Sequence, residues 1–276
     1  MRKVAVFALL ILLFSCNSDP SSDYDTSIPI PKIETIPPPA PISFKVTNVF
    51  PHDPTSFTQG LEFHDGKLYE GTGELRQSKL RIVDITTGKA EKSHTIEDPT
   101  IFGEGITILN KRIFQLTWQN KKIFEYNLHD ITKPVRTYTW NHEGWGATNN
   151  GSELIISDGT SNIYFVTPDT TNKKMNINKI ISVRDHRGSV NMLNELELIN
   201  GSLFANRWMT DEILKIDTSN GHVVGVLNLK GLMPQYAPEV FLEDGAVLNG
   251  IAYDSASKKV YITGKDWPKM FEMEIQ

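Results

Sequence analysis

From residue 44 onward, apolar and polar residues alternate over short runs, and Gly, Asn or Asp breaks the runs apart. Alternation with a period of two puts successive side chains on opposite faces and predicts half-buried strands. No stretch carries the 3.6-residue period of a long amphipathic helix. Five runs resemble one another: Gln59-Gly-Leu-Glu-Phe, Glu104-Gly-Ile-Thr-Ile, Trp145-Gly-Ala-Thr-Asn, Asn194-Glu-Leu-Glu-Leu and Asn249-Gly-Ile-Ala-Tyr. Each is followed by a turn signal: Asp65-Gly66, Asn110-Lys111, Asn150-Gly151, Asn200-Gly201 and residues 255–258. A second strand then ends at Gly73, Trp118, Gly159, Trp208 or Lys265.

The interval from the first residue of a run to that end point is 14, 14, 14, 14 and 16 residues. An antiparallel hairpin of constant length returns its last residue beside its first, so ten positions should gather at one rim. A third strand follows in every repeat, and a fourth is expected in the first four. Repeats of about 40–55 residues built from four strands mark propeller blades. The expected fold is therefore all-β, a five-bladed β-propeller; a β-sandwich and an open β-solenoid are the alternatives. The last repeat runs out of chain after its third strand. Residues 44–50 precede the first repeat and can supply the missing outer strand, closing the ring and removing an exposed sheet edge.

The rim carries chemistry. Strand starts contribute Gln59, Glu104, Trp145, Asn194 and Asn249; strand ends contribute Trp118, Trp208 and Lys265, with Gly73 and Gly159 leaving room. Periodicity puts Phe57 on the face of Gln59 and Phe102 on that of Glu104. A lone tryptophan on a strand is ordinarily core, but three of the five fall on equivalent repeat positions. An aromatic-walled pocket with a few convergent polar groups is the usual form of a small-ligand site. The seven histidines are scattered without metal-ligand spacing, and no Ser/His/Asp arrangement is recognisable. Glu195 and Glu197 are read either as solvent-exposed or hydrogen-bonded to neighbouring backbone, or as support for the site.

The first residues differ in kind. Arg2 and Lys3 precede a short apolar run and then Ser15-Cys16, the layout of a secretory signal. The run is far shorter than the ~20 residues of a membrane-spanning helix. Leu13-Phe14-Ser15-Cys16 resembles a bacterial lipobox, which predicts lipidation of Cys16, the only cysteine. Residues 1–15 are thus expected to be a lipoprotein signal peptide. Residues 16–43 would form a lipidated cysteine and proline-rich stalk, since residues 17–43 hold seven of the fifteen prolines. Residues 44–276 form the domain. The expected location is outside the cytoplasm, lipid-anchored to a bacterial cell-envelope membrane, facing the periplasm or the cell surface. The chain is mildly acidic, with a formal charge of −5, and has no basic cluster, which argues against nucleic acid as a partner.

The same segments resemble the plant-type glutaminyl-peptide cyclotransferase family, whose members are five-bladed propellers. The matching strings are Phe57-Thr-Gln-Gly-Leu, Phe102-Gly-Glu-Gly-Ile-Thr, Leu116-Thr-Trp, Glu143-Gly-Trp-Gly, Ser157-Asp-Gly, Asn194-Glu-Leu-Glu, Ala205-Asn206, Leu248-Asn-Gly-Ile-Ala-Tyr and Thr263-Gly-Lys-Asp-Trp-Pro. Arg207 departs from the family, which often has an apolar residue there. The resemblance implies cyclisation of an N-terminal glutamine of a peptide or protein to pyroglutamate with release of ammonia. It carries the catalytic positions onto Glu104, Lys265, Asn194 and Gln59, and the substrate-binding walls onto Phe57, Phe102, Trp118, Trp145 and Trp208. Glu104, the only acidic rim residue, would shuttle the proton; Lys265, Gln59 and Asn194 would orient the amide. No cofactor and no catalytic metal is implied, a structural calcium in the channel is left open, and a monomer is expected. A non-catalytic ligand-binding propeller and a metal-dependent propeller hydrolase such as a lactonase are the rival classes.

Overall fold

A computed structural model describes residues 35–276; the expected signal segment, Cys16 and the stalk up to residue 34 lie outside them. Within them, five antiparallel meanders follow one another. The first comprises Thr58–His64, Lys67–Thr72, Lys79–Asp84 and Lys89–Thr95, and the second Gly103–Leu109, Arg112–Thr117, Lys122–Asn127 and Arg136–Thr139. The third comprises Ala147–Asn149, Leu154–Ser157, Asn162–Asp169 and Lys174–Ser182, and the fourth Leu193–Ile199, Ser202–Arg207, Glu212–Asp217 and Val223–Asn228. The fifth has Leu248–Asp254, Lys259–Gly264 and Lys269–Ile275, and Phe44–Pro51 completes it. That strand pairs antiparallel from Phe44 opposite Ile275 to Pro51 opposite Lys269. A single parallel pair, Thr139 with Lys174, joins the second and third meanders into one eight-stranded sheet.

The turn residues explain the hairpins. Asp65-Gly66, Asn110-Lys111 and Asn200-Gly201 all have both residues at positive φ, the conformation of the tight hairpin turn that matches strand twist. Both faces of most inner strands are buried, so period-two alternation sends neighbouring residues into different cores. Ile113 packs with Leu80 and Ile106 between the first two meanders, while Phe114 packs with Leu154 and Tyr164 between the second and third. Further apolar layers lie between the third and fourth, the fourth and fifth, and the fifth and first. The five leading strands lie side by side in a closed circuit, the fifth returning beside the first.

Two features depart from expectation. The stalk was expected to extend to residue 43, but Ala40–Pro41 pairs in parallel with Gly225 and Val226, and the Ile42 N–H donates to Val226 O. Residues 40–42 therefore belong to the fold, with the Ile42 side chain packed over Gly225. A short helix, Leu232–Tyr236, also interrupts the strand pattern, burying Leu232 and Met233 in the layer between the fourth and fifth meanders.

Carboxylates knit the leading strands together where no ladder does. Glu62 accepts the Ile108 N–H with both oxygens, at 3.1 and 3.0 Å. Glu195 accepts from Leu61 and Ile251 (3.1 and 2.8 Å), and Glu197 from the Tyr253 N–H and the Thr148 hydroxyl (2.9 and 3.2 Å). Glu195 and Glu197 are thus buried, not solvent-exposed, and take the backbone-bonded role among those foreseen for them. Burial pushes Glu62 up to about 8 and both others well above the carboxylate range, with the Glu197 charge adding to the effect on Glu195 and the Glu62 charge to that on Glu197. A group whose pKa is higher in the folded than in the unfolded chain favours folding below its unfolded pKa, about 4.3, and that stability is lost as pH rises through the folded value. Unfolding free energy is therefore expected to fall from pH 5 to about pH 8, by at most about 1.4 kcal/mol per pH unit for each retained proton. Urea unfolding of the protein and of Glu62→Gln checks this. A wild-type slope no steeper than that of the variant would contradict it.

Candidate active site

Leading strands bulge at the residues expected to face the rim. The ladder register slips at Gln59, across Glu104-Gly105, across Asn194-Glu195 and across Asn249-Gly250. A bulge re-aims a side chain that regular pleating would send into a sheet interface. The repeat spacing does return chain ends to the same place: the N–H groups of Gly73, Trp118, Trp208 and Lys265 donate to the carbonyls of Phe57, Phe102, Met192 and Val247. Glycine after the bulge lets adjacent strands close up. A Cβ on Gly60 would lie 2.4 Å from Ile106 N, and one on Gly105 2.6 Å from Trp145 O.

All nine expected site residues line one cavity of about 320 Å³: Phe57, Gln59, Phe102, Glu104, Trp118, Trp145, Asn194, Trp208 and Lys265. Gln59, Glu104 and Asn194 are deeply buried and form its floor. Its wall is a ring of contacts. Lys265 Nζ sits 4.6 Å from the Phe57 ring centre, Phe57 meets Phe102 edge-on at 6.1 Å, and Phe102 meets Trp118 at 5.9 Å. On the other side Trp145 meets Trp208 edge-on at 5.5 Å, and Lys265 Nζ lies 5.9 Å from Trp208. Gly73 and Gly159 leave space for two of these rings, since a Cβ would fall 2.3 Å from Phe102 and 2.6 Å from Trp145.

A tenth lining residue, Glu143, closes the wall between Trp118 and Trp145 and was not among the expected site residues. A positional signal marks it: Glu143 stands two residues before Trp145, as Phe57 stands before Gln59 and Phe102 before Glu104. Asn249 behaves otherwise than its repeat position predicts. Fully buried, it donates to Thr58 O and to Gln59 Oε1 (2.9 and 3.3 Å), and so supports Gln59 instead of facing the cavity.

Electrostatics distinguish the floor from the wall. Burial pushes Glu104 well above the carboxylate range, opposed by the Lys265 charge and reinforced by that of Glu143. Burial lowers Lys265, opposed by Glu104 first and then by Asp266 and Glu74. A buried carboxyl whose acidity is weakened in this way is suited to take up a proton and give it back. Asn194 Oδ1 is buried without a hydrogen-bond partner among the described residues; such an acceptor costs stability and is available to a bound donor. Among the described residues, no group of three or more His, Cys, Asp or Glu side chains is placed to hold a metal ion.

The fold and the cavity together define an all-β scaffold that carries an aromatic-walled cavity with two carboxyl groups, Glu104 and Glu143, and one ammonium, Lys265. The family model described as glutamine cyclotransferase matches residues 19–275, and the chain belongs to that family. It is 36% identical to the glutaminyl-peptide cyclotransferase of Arabidopsis thaliana, covering 99% of this chain and 80% of that protein. The crystal structure of Myxococcus xanthus glutaminyl cyclase superposes with a TM-score of 0.77 at 31% identity, covering 86% of this chain and 98% of the other.

Proposed function

We propose that the protein is a glutaminyl-peptide cyclotransferase, which converts the N-terminal glutamine of peptides or proteins to pyroglutamate and releases ammonia. Family membership and both relatives support the reading. The single observation that carries its chemistry is Glu104, buried beside Lys265 on the floor of an aromatic cavity. The α-amine nitrogen attacks Cδ of its own side-chain amide, a ring C–N bond forms, and the bond to the amide nitrogen breaks. Glu104 accepts the proton that the amine gives up and returns it to the departing nitrogen, which leaves as ammonia. Asn194 Oδ1 takes an N–H of the substrate, while Lys265 and Gln59 hold the amide oxygen as negative charge develops on it. Phe57, Phe102, Trp118, Trp145 and Trp208 exclude water and hold the side chain curled towards ring closure.

The architecture in this reading is a five-bladed β-propeller, each meander a blade and Phe44–Pro51 the outer strand of the last. The catalytic residues need no cofactor, and the protein acts as a monomer. Incubation of the purified protein with a glutaminyl dipeptide and assay of ammonia tests the function. Tight binding without release would favour a binding propeller, and loss of turnover on chelation would favour a metal hydrolase.

The lipobox-like Leu13-Phe14-Ser15-Cys16 supports export and anchoring to a bacterial envelope membrane through lipidated Cys16. Cys16→Ser is expected to move the protein from the membrane fraction to the soluble one or to block its processing. Wild-type protein recovered fully soluble and without lipid by mass spectrometry would refute the anchor.

A further inference from the structure

Besides Lys265, the wall of the cavity has one link that is not aromatic. Glu143 Oε2 accepts the indole N–H of Trp118 at 2.9 Å and that of Trp145 at 3.0 Å. Its other oxygen, Oε1, accepts from Gln119 Nε2 at 3.3 Å. The main chain is pinned as well: Glu143 O accepts the Trp140 indole N–H at 3.0 Å, and the Gly144 N–H donates to Thr117 O at 3.1 Å. Trp118 ends the second strand of one meander and Trp145 leads into the next, so the two rings have no ladder in common. One oxygen that takes both N–H groups fixes the angle between them.

From this geometry we infer that Glu143 is a positioning residue of the cyclisation: its carboxylate clamps Trp118 and Trp145 as adjoining walls and places a fixed negative charge beside Glu104. The inference rests on the function proposed above. A hydrogen bond to a charged acceptor is stronger than one to a neutral group, and two on one atom make an acceptor that no apolar residue replaces. In the first two meanders the equivalent position holds Phe57 and Phe102, which build the wall with their own rings. Here a carboxylate builds it by holding the rings of others.

The charge has a second consequence. The charged groups that face Glu104 are Lys265, which favours its ionised form, and Glu143, which opposes it; Asp266 and Glu74 act on Lys265. Glu143 therefore keeps Glu104 higher than Lys265 alone would leave it. In a shuttle that begins with proton uptake, the ionised form of Glu104 is the one that starts the cycle, and the acid limb of kcat reports its titration in the complex.

The test compares Glu143→Gln and Glu143→Leu with the wild-type protein by ammonia release from a glutaminyl peptide across pH. Glutamine retains an acceptor oxygen for the indoles and loses the charge. The acid limb of kcat should move to lower pH with KM close to the wild-type value. Leucine loses both, and KM should rise about tenfold as the walls come free, the scale expected of a small misplacement in a site. A pH profile of Glu143→Gln that overlays the wild type, or an unchanged KM in Glu143→Leu, would overturn the role while leaving the reaction standing. Absence of ammonia release by the wild type would overturn the reaction and this role with it. Should Glu143→Leu fail to fold, the kcat profile of Glu143→Gln decides alone.

Discussion

Glu104→Gln is expected to lower kcat on glutaminyl peptides by about 10²–10⁴-fold, the usual loss when a general acid–base group is removed. Glutamine preserves the size of the side chain but neither takes up nor returns a proton. The site should survive the change, because Glu104 is held by the bulge of its strand and by Gly105 behind it, and its carboxyl makes no hydrogen bond among the described residues. Substrate affinity should change little, and thermal unfolding should show an intact fold. Trp208→Ala provides the contrast: it removes the ring that packs on Trp145 and faces Lys265, so KM should rise as well as kcat fall. Cyclisation by Glu104→Gln at close to the wild-type rate would mean that another group moves the proton.

Gly146→Ala is the structural change expected to do most damage. An added Cβ would lie 2.0 Å from Asn194 O and 2.7 Å from both Asn194 C and Glu195 Cα. All three are backbone or Cα atoms, so relief requires the third and fourth meanders to separate. Overpacking of this kind costs about 1–3 kcal/mol, sometimes more, and a clash with rigid backbone belongs at the upper end. Trp145 and Asn194 flank the contact and both line the cavity, so kcat/KM should fall by about 10²-fold along with stability. Gly151→Ala is the control: Gly151 has φ 85° and nothing within 4 Å of the added atom. It should cost about 1 kcal/mol of backbone strain and leave activity unchanged. Urea unfolding and ammonia release measure both. Wild-type stability in Gly146→Ala would show that the strands are not packed as closely as Gly146 and Asn194 place them.

Much of this molecule is legible from local sequence because much of it is set locally. Period-two alternation, the turn pairs Asp65-Gly66 and Asn200-Gly201, and the hairpin interval of 14 residues in four repeats and 16 in the fifth depend only on residues near one another in the chain. Those signals suffice to place Gln59, Glu104, Trp118, Trp145, Asn194, Trp208 and Lys265 at one mouth, since hairpins of nearly equal length bring equivalent residues to similar heights. Resemblance to a family added Phe57 and Phe102 and the reaction itself.

What the tertiary structure alone decided concerns side chains whose partners are remote. Glu195 and Glu197 read from sequence as strand residues of open purpose, and only the ring brings Leu61 N, 134 positions away, within reach of Glu195. Asn249 shares the repeat position of Glu104, yet the neighbouring Gln59 and Thr58 draw its side chain away from the cavity. Residues 40–42 carry the proline of a stalk, and it is pairing with the remote Gly225 and Val226 that makes them part of the fourth meander. Glu143 acquires its role from two indoles brought together by different meanders. Strand periodicity states which face a residue occupies; which group from another part of the chain waits there, and so whether a carboxyl latches backbone, clamps a ring or carries a proton, is settled by closure of the circuit.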